Sequence, residues 1–201
     1  MNANRAIGKP TPLELREDKK WPGRLALLID GPNLLATSKA LGFDIDYKRL
    51  LNEFQSRAEL LRAYYFSAII EDHGFSSLQP LIDWLDYNGY TVVTKAAKEY
   101  TDTGGRRKLK TSIAIELAVQ AMELVEHVDR IVLISGDAEF RPLVQALQRR
   151  GVRVTVISTI SSDPPMISAE LRRQADEFID LVGLQSRVGR EGRLREQTAA
   201  S

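Results

Sequence analysis

The sequence predicts an α/β domain built on a mainly parallel sheet. Three observations carry that prediction. Short apolar runs alternate with stretches of helical period along most of the 201 residues. The runs LALLID (25–30) and RIVLIS (130–135) lack in–out alternation, which is the pattern of strands covered on both faces. The spacing between runs leaves room for a helix each time, as right-handed crossovers between parallel strands require.

The elements follow in order. After the strand at 25–30, DYKRLLNEFQSRA (46–58) has helical period with Leu50, Leu51 and Phe54 on one side. LLRAYYFSAII (60–70) reads as a strand, FSSLQPLIDWLDYNG (75–89) as a helix ended by Gly89, and YTVVTKA (90–96) as a strand. KTSIAIELAVQAMELVEHV (110–128) reads as one long helix before the strand at 130–135. A helix at 139–151, a strand at 152–158, a helix at 165–176 and a short strand at 177–181 complete the series. Residues 1–22 mix Pro, Lys, Glu and Asp without period and are expected to be a flexible arm. QSRVGREGRLREQTAAS (185–201) has little to bury and is expected to be a flexible basic tail, which leaves residues 23–184 as the folded domain.

Composition narrows the function. The chain is 43% hydrophobic and 27% charged, with 28 Lys and Arg against 27 Asp and Glu, so its net charge of +1 rules out a uniformly basic coat. Cysteine is absent, which excludes disulfides, thiolate metal sites and a cysteine nucleophile and fits a cytoplasmic location. The N-terminal segment lacks the apolar run of a secretory signal, and no 18 apolar residues run together, so no membrane association is expected.

In open parallel sheets, ligands bind at the carboxyl ends of the strands. There LALLID ends in Asp30, followed by Gly31, Pro32 and Asn33, and RIVLIS ends in Ser135, followed by Gly136, Asp137, Ala138 and Glu139. If the two strands are adjacent, Asp30, Asp137 and Glu139 converge. Like charges ~4 Å apart repel by about 4 kcal/mol at an effective dielectric near ~20. Such a cluster therefore points to a hard dication, Mg²⁺ or Mn²⁺, with Asn33 and Ser135 placing water or phosphate. Helix capping is the alternative reason for an Asp at both strand ends. No phosphate-binding loop or dinucleotide turn is present, and His73 and His127 lie far apart in sequence.

LLIDGPNLL, the long helix after a basic segment, and VLISGDAEFRPLVQALQRRGVRVTVIS together resemble the NYN domain, in its bacterial LabA-like branch. KALGFDIDYKRLL, PLIDWLDYNGYTVVTK and SAELRRQADEFIDL extend the likeness to roughly residues 24–182. The resemblance implies a PIN-like three-layer α/β/α sandwich and metal-dependent cleavage of RNA by an acidic cluster. Asp30 and Asn33 match the first-strand acid and asparagine of the family, and Ser135, Gly136 and Asp137 its Ser-Gly-Asp. Glu139 stands where aspartate is usual, and Pro32 where a small residue is. On the helix, Lys110 is kept, but Thr111 replaces glycine and Ala114 and Gln120 replace the two aspartates. Alanine has no ligand atom and glutamine offers only a neutral oxygen, so weak metal binding and weak or lost hydrolysis are expected. Glu116, Gln120, Glu123 and His127 form one polar stripe, which reads as a solvated face; the alternative is that Glu116, one turn before Gln120, restores a ligand.

Residues 95–110 (KAAKEYTDTGGRRKLK) carry six basic residues against two acidic ones beside the expected site. Lys95, Lys98, Arg106, Arg107, Lys108 and Lys110 suit a phosphate backbone, and Tyr100 suits stacking on a base. The expected partner is single-stranded RNA. Arg187, Arg190, Arg193 and Arg195 would add non-specific affinity from the tail. Two other functions fit the same residues: a non-catalytic interaction module that pairs with itself or a paralogue, and a fully active Mg²⁺- or Mn²⁺-dependent ribonuclease.

Overall fold

In the computed structural model, residues 20–70, 78–101, 107–110 and 112–190 are described, without the side chains of 70, 98–101 and 107–110. The six apolar runs become strands, and the basic segment 107–110 adds a seventh: β1 (Arg24–Asp30), β2 (Glu59–Ile70), β3 (Tyr90–Thr101), β4 (Arg107–Lys110), β5 (Arg130–Ile134), β6 (Arg153–Ser158) and β7 (Glu177–Asp180). They form one sheet in the order β4-β3-β2-β1-β5-β6-β7. All neighbouring pairs are parallel except β3–β4, where Lys98 lies opposite Lys110 in an antiparallel hairpin.

Helices cover both faces, as buried parallel strands demand. They are α1 (Gly31–Ala40), α2 (Tyr47–Arg57), α3 (Gln79–Tyr87), α4 (Ala114–Glu123), α5 (Arg141–Gln148), α6 (Ala169–Gln174) and α7 (Gln185–Val188). Alternation along β1 sends side chains to two cores. Leu25, Leu27 and Ile29 pack with Leu34 of α1, Leu50 and Phe54 of α2, Leu85 of α3 and Val188 of α7. Ala26 and Leu28 pack with Leu117 and Ala121 of α4, Val144 and Leu147 of α5 and Leu171 of α6. The result is the expected three-layer sandwich. Burial of a side chain such as Phe54, fully inaccessible, contributes about 1.5–3 kcal/mol.

The structure departs from the sequence reading at three places. The long helix expected at 110–128 runs only from Ala114 to Glu123. Arg107–Lys110 instead pairs with the end of β3, which continues to Thr101 rather than stopping near 96. Helix α1 was not among the expected elements. Few of its side chains are large and apolar, and Asp30 and Pro32 at its start define it instead.

The third departure concerns the domain limits. Trp21 is buried, stacks on Phe54 with ring centroids 6.3 Å apart, and lies under the guanidinium groups of Arg57 and Arg130. At the other end, residues 185–190 are part of the fold, not a loose tail. Val188 is fully buried, Gly189 bridges to Ile45, and the Arg190 N–H donates to Asp44 O at 2.9 Å. Arg49 Nη1 and Nη2 donate to Gly189 O at 2.9 Å and Ser186 O at 2.6 Å. One apolar residue and a few backbone acceptors suffice to dock the segment, too faint a signal for periodicity. No helix among the described residues is long and apolar enough to cross a membrane.

Candidate functional site

The sheet order reverses between β1 and β5, because the chain builds outward from β1 through β2 and β3 and then returns to its other side as β5. Ligand crevices of open α/β sheets form at such switch points. Register pairs Ile29 with Ile134, so Asp30 and Ser135 leave the sheet side by side.

Asp30 is 7% exposed and committed to the protein on both carboxylate oxygens. Its Oδ1 accepts the Asn33 N–H at 3.1 Å, capping α1, and its Oδ2 accepts the Ser135 hydroxyl at 2.9 Å. Ser135 Oγ in turn accepts the Asp137 N–H at 3.2 Å. Asn33 reaches across, its Oδ1 accepting the Gly136 N–H at 3.0 Å. Asp137 caps the 3-10 turn at 138–140 by accepting the Glu139 N–H at 2.9 Å. Both Asp137 and Glu139 are exposed. The capping expected of an aspartate at each strand end is present at both Asp30 and Asp137.

Burial pushes the Asp30 carboxyl above its ordinary range. The Asn33 N–H and the Ser135 hydroxyl pull against that rise, and the nearby Asp137 charge adds to it. The closeness of the strand ends demands glycine at two positions. A Cβ on Gly31 would lie 2.6 Å from the Tyr65 ring, and one on Gly136 would lie 1.9 Å from Met166 O. Tyr65 of β2, overlooked in the sequence, therefore sits directly under the first-strand turn. Its phenol is pushed far above the usual range, chiefly by burial, and packs edge-on against Tyr47. A tyrosine inside an apolar strand reads as core, so no pattern marked it.

Asp30, Asn33, Ser135 and Asp137 thus meet at one edge. Glu139 adds its backbone N–H to that edge, and its side chain points to solvent. Among the described residues, no carboxylate of α4 completes a group of three acids with that edge. Ala114 opens the helix, and Gln120 Nε2 donates to Glu123 Oε2 at 3.2 Å. Glu116 pairs with Lys95 at 2.8 Å, and the Lys95 ammonium holds its carboxyl below the ordinary range. Lys95 also donates to Ser112 O at 3.0 Å, so this lysine is spent inside the protein. Among the described residues, no three Asp, Glu, His or Cys side chains form a group able to hold a metal ion. The donor set does not fit a resident hard dication, which takes ~6 oxygen ligands, several of them charged.

Arg107, Lys108 and Lys110 lie on β4 and Lys98 and Tyr100 on β3, with their side chains outside the described residues. Arg106, His73, Arg193 and Arg195 lie outside them altogether. His127 is exposed in the turn after α4. Arg187 is not a free tail cation but binds Glu53 at 3.0 Å.

This geometry has relatives. The NYN domain profile matches residues 24–183. The low amplitude and bright protein LabA of Synechococcus elongatus is 35% identical over 169 residues, covering 82% of this chain and 87% of that protein. An uncharacterized protein of Methanocaldococcus jannaschii is 28% identical over 181 residues, covering 89% of this chain but 63% of its own length. A crystal structure of a protein of unknown function from Vibrio parahaemolyticus shares the fold, with a TM-score of 0.65 at 24% identity over 83% of this chain and 96% of the other. The chain belongs to the NYN domain family and is related to LabA.

Proposed function

We propose that this chain is an RNA-binding member of a metal-dependent endoribonuclease family whose acidic site is incomplete, so that phosphodiester hydrolysis is weak or lost. The observation that carries this reading is the use of Asp30. Both its oxygens are taken by Asn33 and Ser135, and α4 holds Ala114 and Gln120 where the resemblance expects aspartates. Two exposed acids, Asp137 and Glu139, remain facing solvent. Asp30, Asp137 and Glu139 would then hold Mg²⁺ or Mn²⁺ only weakly. Asn33 and Ser135 keep the turn that presents the edge to a phosphodiester. Arg107, Lys108 and Lys110 of β4, and Arg106, which precedes them in the sequence, are the groups proposed to follow single-stranded RNA.

A cleavage assay on single-stranded RNA with Mn²⁺ tests the reading. It compares the unmodified protein, Asp137→Asn, and the double variant Ala114→Asp with Gln120→Asp. Salt-sensitive RNA binding, little cleavage by the unmodified protein and a gain in the double variant are expected. Robust cleavage that Asp137→Asn abolishes would establish an active nuclease instead.

One observation favours a second reading, the interaction module. Ile115, 69% exposed, and Val119, 54% exposed, line the outer side of α4 together with Ala118 and Met122. Apolar side chains at this helical spacing suit a contact with another copy or a paralogue. Concentration-dependent association that Val119→Lys removes, with RNA binding absent, would support this reading over the first.

A further inference from the structure

A polar depression, open to solvent, lies on the surface beside the candidate site, and nothing in the acidic edge accounts for it. Its volume is ≈ 340 Å³, and it is lined by the exposed side chains of Arg141, Glu170 and Arg173 and by the half-buried Gln174. Arg141 opens α5, four positions after Asp137 and directly after the turn that Asp137 caps. The far wall is α6, tied to the same turn by the Ser168 N–H donating to Gly136 O at 2.9 Å. The cavity is therefore anchored to the Ser135-Gly136-Asp137 turn on two sides.

Its charges are uncommitted. Among the described residues, neither Arg141, Arg173 nor Glu170 takes part in an ion pair or side-chain hydrogen bond. Gln174 is fixed differently, its Nε2 donating to Gln148 Oε1 at 2.8 Å, which leaves its own Oε1 as an acceptor. Two guanidinium groups against one carboxylate leave a net positive charge. Planar, always-charged guanidinium forks match the oxygens of a phosphodiester in pairs. Glu170 and Gln174 Oε1 add acceptors, suited to a ribose hydroxyl or an exocyclic base amine. The volume sits at the small end of ligand pockets, which span ~300–1,000 Å³, and suits one nucleotide.

We infer that the α5–α6 cavity is a nucleotide subsite, binding one phosphate between Arg141 and Arg173 and the attached nucleoside toward Glu170 and Gln174. The inference rests on the RNA-binding reading and adds where one nucleotide of the strand sits. It gives the strand a direction across the molecule, over the Asp137 turn and down into the cleft between α5 and α6.

The test uses the whole chain and two probes, a short labelled single-stranded RNA and 5′-AMP. Arg141→Gln with Arg173→Gln is compared with Arg153→Gln, an exposed control at the amino end of β6, the opposite edge of the sheet. RNA affinity should fall about tenfold in the double variant, with a salt dependence shallower by about 0.7 for the lost phosphate contact. Arg153→Gln should leave both unchanged. In the unmodified protein, 5′-AMP should shift the Nε–Hε resonances of Arg141 and Arg173. RNA binding that the double variant leaves intact would overturn the subsite while the RNA-binding reading stands. Shifts with 5′-AMP but no RNA binding would keep the cavity as a nucleotide site and end that reading. Absence of RNA binding by the unmodified protein together with absence of 5′-AMP shifts would overturn both.

Discussion

Asp30 is a carboxylate given to the fold. It sits at the end of the first strand, caps the next helix and holds the Ser135 hydroxyl, and burial raises its pKa above the value near 3.8 of the free side chain. The sign of the pH dependence follows. Below 3.8 the group is protonated in both folded and unfolded chains. As pH climbs toward the raised folded value, the unfolded chain releases its proton first, so stability falls, and it levels off once the folded group has ionised. Asp30→Asn removes this titration. The difference in unfolding free energy, native minus variant, should decrease as pH rises above 3.8 in urea titrations, and an increase would contradict the raised value. Gly136 is equally constrained, since a Cβ there would meet Met166 O at 1.9 Å. Gly136→Ala should cost about 3 kcal/mol, because backbone rather than a pliable side chain must move. A loss below about 1 kcal/mol in the same titration would mean that the 159–167 loop yields freely. The site residues on the two strand ends were legible in the sequence because polar residues end apolar runs. Tyr65 was not, because its partner is a backbone turn far away in sequence.

At the scale of elements, periodicity located the strands and most helices and failed where other forces set the limits. Residues 107–110 pair with the end of β3, whose edge offers a row of unpaired backbone groups. They become a strand, and the helix that sequence period started at 110 begins at Ala114 instead. The C-terminal segment shows the same limitation. Its composition is polar, and Val188 with the Arg49 guanidinium holds it. Arg49→Ala should remove those two hydrogen bonds, at about 1–3 kcal/mol for charge-assisted bonds, and act locally. Hydrogen exchange at the Gly189 and Arg190 amides should then accelerate strongly while the amides of β1 and β5 stay protected. Equal acceleration throughout would place the segment in the cooperative core.

Across the whole molecule, one topological fact organises the proposed function. The reversal of strand order between β1 and β5 brings Asp30 next to Ser135, and every proposed contact with RNA is measured from that edge. The acidic edge was readable because both strands are apolar and end in polar turns. The α5–α6 cavity was not, since Arg141, Glu170, Arg173 and Gln174 come from two helices and read as ordinary solvated faces. On the proposed reading, the set of charges around the edge is what would separate this chain from an efficient metal-dependent nuclease. Glu116 is held by Lys95, Gln120 bonds to Glu123, and Ala114 contributes nothing. Restoring acids at 114 and 120 adds two carboxylates on α4, so Ala114→Asp with Gln120→Asp should bind a dication more tightly and lower the stability of the metal-free protein through added repulsion.

Mn²⁺ titration of the unmodified protein, followed by electron paramagnetic resonance, tests the central claim most directly. No saturable site tighter than about 1 mM is expected, with Asp137→Asn indistinguishable from the unmodified chain. A site in the micromolar range that Asp137→Asn eliminates would show that the edge still gathers a competent metal cage, and would contradict the account.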